Sequence, residues 1–306
     1  MMTIAARPET ALRGRLATDV PLARCTSWRC GGRAERAYTP ADRLDLAAFV
    51  RGLPATEPVT ALGLGSNVLV RDGGVRGTVI LVHAALAVLE FREGLIYAEA
   101  GVASPKLSRY AAMHDRAEAE FLSGIPGTVG GALAMNAGCY GGETWRYVVQ
   151  VEVLNRAGTF SRLLPSDFSI DYRSVRRADV HAPPGLFTAA WFGFPPGARD
   201  VARGRIRQLL ERRIATQPLG LPNAGSVFRN PPGDYAARLI ESCGLKGCAI
   251  GGAHVSEKHA NFIVNPRGQG SATDIEALID HVRAVVRERT GIDLVREIEI
   301  IGERAA

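Results

Sequence analysis

The octapeptide Asn223-Ala224-Gly225-Ser226-Val227-Phe228-Arg229-Asn230 sets one hydroxyl between a glycine and an apolar pair, with amides at both ends and one cation. Three chemistries are open to Ser226: nucleophile, turn-forming side chain, or proton donor. The nucleophile fits poorly. A G-x-S-x-G elbow lacks its second glycine, since Phe228 stands there, and no Ser-His-Asp arrangement is suggested by position. Two glycine-rich stretches offer anion binding instead. Gly63-Leu64-Gly65-Ser66-Asn67 follows the apolar run Val59–Leu62. A dinucleotide fingerprint G-x-G-x-x-G needs glycine at position 68, where Val68 stands, and a helix next. Val68–Val70 instead runs into the turn Arg71-Asp72-Gly73-Gly74, so the loop lies between two short strands. Its backbone N–H groups, with the Ser66 and Asn67 side chains, suit a phosphate or pyrophosphate; a plain β-turn is the alternative. The second stretch, Ser123 to Glu143, holds seven glycines in 21 residues, a density that marks backbone approaching something closely. If Ala132–Met135 opens a helix, its N-terminus adds partial positive charge for a phosphate. Two such loops together favour a dinucleotide over two unrelated turns.

Alternating apolar runs and helical stripes must position these groups. Strands are expected at 59–64, 78–84, 95–101, 148–155, 187–194, 261–265 and 294–302. Helices are expected from Asp42 to Val50, from Ser104 as N-cap with Pro105 at the first position, and from Asp234 to a stop at Gly244. The clearest helix spans Thr273–Thr290, with Thr273 and Glu276 as a capping box and Gly291 as its end. The segment 198–225 joins a strand-rich, glycine-rich region to one where strands and firm helices alternate, which places a domain boundary there.

The chain has 306 residues, 46% of them hydrophobic and 22% charged, as in soluble globular proteins. No run approaches the roughly 18 to 20 apolar residues that span a bilayer, and the first 20 residues lack a signal-peptide core; a cytoplasmic location without membrane insertion is expected. The net charge of +6 comes from 37 basic and 31 acidic residues scattered along the chain, without the dense basic tract that nucleic acid demands. Five cysteines without a C-x-x-C read as reduced thiols. His254 and His259, five apart, fall on opposite faces of a strand, so no metal site is expected.

With both loops read, a resemblance emerges. Residues 63–74 and 123–143 resemble the FAD-binding loops of the UDP-N-acetylenolpyruvoylglucosamine reductase family, and the likeness continues through 167–174, 216–231, 244–265 and 296–303. It implies an α+β fold: a two-lobed FAD-binding domain of the vanillyl-alcohol-oxidase/PCMH type over 22–205 (lobes 22–84 and 85–205), then a smaller α/β substrate domain over 206–306. Residues 1–21 are expected to be a flexible leader. The family reduces non-covalent FAD with NADPH and passes a hydride to the enolpyruvyl group of a UDP-sugar. The implied FAD contacts are Gly63, Leu64, Gly65, Ser66, Asn67 and Val68 in the first loop, and Ser123, Gly124, Ile125, Pro126, Gly127, Thr128, Gly130, Gly131 and Asn136 in the second.

Hydride addition to an enolpyruvyl ether leaves negative charge shared with the carboxylate, so the site needs a cation, a proton donor and an orienting carboxyl. The resemblance assigns these to Arg173, Ser226 and Glu297. It assigns the UDP-sugar to Asn230, less firmly to Asn223 and His259. Glu297 is expected on an alternating strand, with Val295 and Glu299 on its face. The chain departs from the family at Cys30, Arg229, Arg296 and Glu299, and it has no tyrosine between Tyr172 and Asn223, which suits the subclass without a substrate-closing loop. The partners expected are the UDP-sugar and NADPH, with no obligate protein partner. An oxidase of the same FAD fold and a catalytically dead nucleotide-sugar regulator are the alternatives.

Overall fold

A computed structural model describes residues 11–181 and 185–305. The first lobe holds β1 (Arg15–Pro21), β2 (Arg33–Thr39), α1 (Arg43–Gly52), β3 (Val59–Leu62), β4 (Val68–Val70) and β5 (Val75–Leu81). Its sheet runs β1-β2-β5-β3. The β2, β5 and β3 strands are parallel, and β1 closes the edge antiparallel to β2. Thus the expected flexible leader is corrected over 15–21, which pairs with β2 as an edge strand. Arg13 is held too, by Asp42 and Asp45, and residues 1–10 of that expectation lie outside the described residues. Asp42 caps α1 by accepting from the Asp45 N–H.

The second lobe holds β6 (Leu89–Arg92), β7 (Leu95–Glu99), α2 (Ser104–Met113), α3 (Val129–Ala134), β8 (Gly138–Cys139), β9 (Gly142–Glu143), β10 (Val148–Asn155), β11 (Phe160–Leu163), β12 (Phe168–Asp171), β13 (Ser174–Arg177), β14 (Gly185–Phe192) and α4 (Arg199–Thr216). Its antiparallel sheet runs β11-β10-β14-β7-β6 around an apolar core that includes Leu107, Val129, Trp145 and Phe192. The expected cap at Ser104 is corrected. Ala103, bridged to Thr128, is the extended residue before α2, and Ser104 is its first helical residue. The expected boundary after residue 205 falls inside α4, where Ala202 and Ile206 pack on Ala112 of α2. Charge on nearly every side of α4 hid the helix from periodicity.

The last third holds α5 (Ala236–Ser242), β15 (Ala249–Ile250), β16 (Ala253–Val255), β17 (Ile263–Val264), α6 (Ala272–Thr290) and β18 (Glu299–Ile301). The capping box of α6 is Ser271 with Asp274, not Thr273 with Glu276. The reason is a joint between lobes. Asp72 takes the Thr273 hydroxyl and the N–H groups of Ala272 and Thr273, while Arg71 forks onto Glu276 through Nε and Nη2, both at 2.8 Å. Asp234 lies before α5, its carboxylate spent on Tyr235 N–H and Arg238. The C-terminal core also swallows Trp28, Cys30 and Leu69 of the first lobe. Trp28 donates its indole N–H to the Ile263 carbonyl at 2.8 Å, and Asn265 returns a bond to the Trp28 carbonyl at 3.0 Å. Finally β18 adds in parallel to β4, the strand that follows the first glycine loop.

Candidate active site

A cleft of about 500 Å³ opens where these parts meet. Part of its lining is the pair of glycine loops. A Cβ on Gly63 would run into the Thr128 hydroxyl of the second loop, and one on Gly127 would lie 3.3 Å from Ser66 Oγ of the first. Gly65 has φ +58, and a Cβ there would strike the Cys25 carbonyl. Glycine at 65 is therefore required by conformation and by space. Among the described residues, none of the five backbone N–H groups from Gly63 to Asn67 finds a protein acceptor. The Thr128 hydroxyl is likewise buried without a partner. A row of bare donors beside an orphaned hydroxyl fits a bound pyrophosphate, and with it FAD.

The same lining carries charged side chains. Arg173 sits in the tight β12–β13 turn with φ +55, a left-handed conformation that favours glycine. Its fork is clamped: Nη1 and Nη2 donate to the carbonyls of Asn136 and Gly138 at 3.4 and 2.9 Å. Its Nε lies 2.7 Å from Glu297 Oε1, with side chains 15% and 9% exposed. That N–H is not aimed at the oxygen, so the pair is a charge contact rather than a well-formed hydrogen bond. Burial raises the Glu297 carboxyl above its ordinary value, opposed by the charges of Arg173 and then Arg229. Arg229 also donates to the Arg173 carbonyl at 3.1 Å.

Backbone pairing brings Ser226 and Glu297 to one place. The Glu297 N–H donates to the Val227 carbonyl, and the Arg229 N–H to Val295, both at 2.8 Å. This corrects the expected long strand over 294–302. Bonds from 295–297 go to 227–229, and only 299–301 joins β4. The expected alternation holds from Glu297 onward. Glu297, Glu299 and Ile301 line the cleft while Ile298 is buried in the C-terminal core; Val295 is exposed. Glu299 is the exposed carboxylate of the two, and Glu297 is the one paired with arginine. Asn67 fastens this strand by donating to the Glu297 carbonyl at 3.1 Å.

The cleft is lined by Arg173, Ser226 and Glu297, by Gly63 to Val68, and by Gly124 to Thr128 with Gly131. Other expected contacts serve elsewhere. Ser123 closes its own turn by donating to Glu120 O, and Gly130 packs on Ala100. Asn136, buried, braces the turn of Arg173: its amide donates to the Asp171 carbonyl and its carbonyl holds Nη1. Asn223 folds onto Pro218 and Leu221 carbonyls and the Gly225 N–H. Asn230 is exposed and accepts from Ala236 N–H at the start of α5. The His259 ring lies against Phe262, with its imidazole pushed below the usual value by burial. These three are outside the cleft lining, so their expected substrate contacts are not part of this cavity.

Sequence reasoning missed Arg213, Gln217 and Cys139 in the lining, and Asn261 behind it. Buried Asn261 accepts from Phe228 N–H at 3.0 Å and donates to Phe228 O at 2.8 Å, replacing a strand partner for the serine segment. Among the described residues no three His, Cys, Asp or Glu side chains gather to hold a metal.

Comparison with known proteins finds two family models that match the chain. Residues 34–164 match a model described as FAD binding domain, and 217–301 match one described as UDP-N-acetylenolpyruvoylglucosamine reductase, C-terminal domain. A UDP-N-acetylenolpyruvoylglucosamine reductase of Thiobacillus denitrificans is 54% identical over 307 residues, covering 96% of this chain and 94% of that one. One from Coxiella burnetii is 52% identical over 313 residues, covering 96% and 98%. The crystal structure of UDP-N-acetylenolpyruvylglucosamine reductase from Thermus caldophilus superposes with a TM-score of 0.80 at 32% identity, over 94% of this chain and 99% of that one.

Proposed function

The chain belongs to the UDP-N-acetylenolpyruvoylglucosamine reductase family of flavin-dependent oxidoreductases, and on that premise we propose that it uses NADPH to reduce UDP-N-acetylglucosamine enolpyruvate to UDP-N-acetylmuramate, a peptidoglycan precursor. The observation that carries this reading is that Arg173, Ser226 and Glu297 line the same cleft as the bare glycine-loop N–H groups. Gly63–Val68 and the 124–131 loop would hold FAD, which when bound would supply the hydride.

The protein's part is electrostatic and protic. As the new C–H bond forms at one olefinic carbon, the π pair moves to its neighbour and into the carboxylate. Arg173 faces that charge with a fork already fixed by two carbonyls, so little reorganisation is spent during reaction. Ser226 donates its O–H proton to the neighbouring carbon, completing the second C–H bond. Glu297 relays a replacement proton to the serine oxygen, and burial, which raises its carboxyl, helps it hold one. The segment 222–301 supplies the serine and the carboxylate, and we read it with 206–221 as the substrate domain. Asn223, Asn230 and His259, outside this cavity, contribute to UDP-sugar binding only through movement or through the outer part of the substrate. All five thiols are unpaired, which suits the cytoplasm.

The test is anaerobic. Flavin bleached by NADPH should regain its absorbance when UDP-N-acetylglucosamine enolpyruvate is added; a flavin that stays reduced with this substrate but reoxidises with oxygen would overturn the reading in favour of an oxidase.

A further inference from the structure

Arg213 is the second guanidinium in the cleft, and it is the less explained one. It sits in the last turn of α4 and is only 9% exposed. Its Nη1 donates to the Gly124 carbonyl of the second glycine loop, and its Nε to Gln217 Oε1 at 2.9 Å. Both acceptors are neutral. Among the described residues no carboxylate pairs with it, in contrast to Arg173, Arg43 and Arg71, the first of which lies on Glu297, the second on Glu152 and the third on Glu276. The ionisable neighbours whose charge reaches it are Cys139 and Tyr140. Burial pushes the Cys139 thiol up to about 11 and raises the Tyr140 phenol, so both are neutral at pH 7. Burial also lowers the Arg213 value, the sign of a charge held without compensation. A guanidinium stays ionised in protein, so its desolvation is met by a counter-charge or remains as a cost.

Resting on the reductase reading, we propose that Arg213 is an anion-binding residue of the cleft, whose counter-ion is an oxygen anion brought by a ligand. Its place on the Gly124 loop gives two sources of the same chemistry. One is the reduced cofactor ring, which gains negative charge on accepting hydride. The other is the carboxylate of the sugar substrate. Either uses the edge of the fork that the Gly124 and Gln217 bonds leave over. Those bonds aim the group, and α4 supplies a rigid base for it.

Arg213→Met and Arg213→Lys, purified with FAD, separate the sources without turnover. If the anion is the reduced ring, Arg213→Met should bind reduced FAD about ten- to a hundredfold more weakly relative to oxidised FAD, seen as a lower reduction potential against a reference dye. If it is the carboxylate, the potential should hold while the preference for UDP-N-acetylmuramate over UDP-N-acetylglucosamine, which lacks that carboxylate, should fall by a similar factor in flavin-absorbance titrations. Arg213→Lys should retain part of the affected property and make it pH-dependent, because a buried lysine loses its proton far more readily than arginine. A potential and a ligand preference both equal to the parent's, with no new pH dependence in Arg213→Lys, would overturn the proposal and leave Arg213 as a prop for Gly124. That result is distinguishable from failure of the reductase reading, which shows as absent flavin reoxidation in the unaltered protein.

Discussion

The two parts of the cleft lining, glycine loops and charged side chains, are built on opposite plans. The glycine part works by omission: glycines at 63, 65 and 127 let loops touch and leave N–H groups bare. The charged part works by delivery: Arg173, Ser226 and Glu297 arrive from three segments and are locked by Asn136, Asn261 and Asn67. A change in the first part should therefore act by filling space, and one in the second by loosening a brace or removing a charge.

The largest effect is expected on the omission side. Gly65→Ala places a side chain at φ +58 against the Cys25 carbonyl, so the purified protein should retain little or no FAD by absorbance. On the delivery side, Ser226→Ala should keep its flavin and its reduction by NADPH, while the reoxidation half-reaction slows about 10²- to 10⁴-fold in stopped flow. Equal loss in both halves would make the serine structural. Asn261→Ala strands the Phe228 N–H and carbonyl in a buried place, for about 2 to 4 kcal/mol of lost stability by denaturant titration, with flavin still bound. The finest test is the sign of a pH shift. Burial raises Glu297 and Arg173 opposes it, so Arg173→Met should move the Glu297 limb of the reoxidation profile to higher pH. The same raised carboxyl makes its contribution to stability complete at low pH and lost as pH rises through the folded value, a loss that Glu297→Gln should remove.

The glycine part was largely legible because its meaning is local. Glycine spacing in 63–67 and 124–131, and the failed helix after Gly65, can be read within a dozen residues. That Ser226 and Glu297 belong to one cleft needed the family resemblance, because nothing local says that Val227 pairs with Glu297. Asn261 and Arg213 gave no signal at all. Asn261 acts by bonding a backbone 33 residues away, and Arg213 lies on a helix whose charge runs nearly all round, where one buried cation looks like its neighbours. The capping box of α6 was misplaced for a related reason: Asp72, 201 residues from Thr273, had claimed the threonine.

The joint between Trp28 and Ile263 spans 235 residues of chain. At about 5 to 20 residues per second, the ribosome needs roughly ten to fifty seconds between making the indole and making its acceptor. Throughout that interval Trp28 and Leu69 lack their C-terminal cover, and β4 lacks β18. The newborn first lobe thus carries a sticky face and an open strand edge for most of its synthesis, so heat or slowed translation should harm production of this enzyme well before it harms the finished molecule.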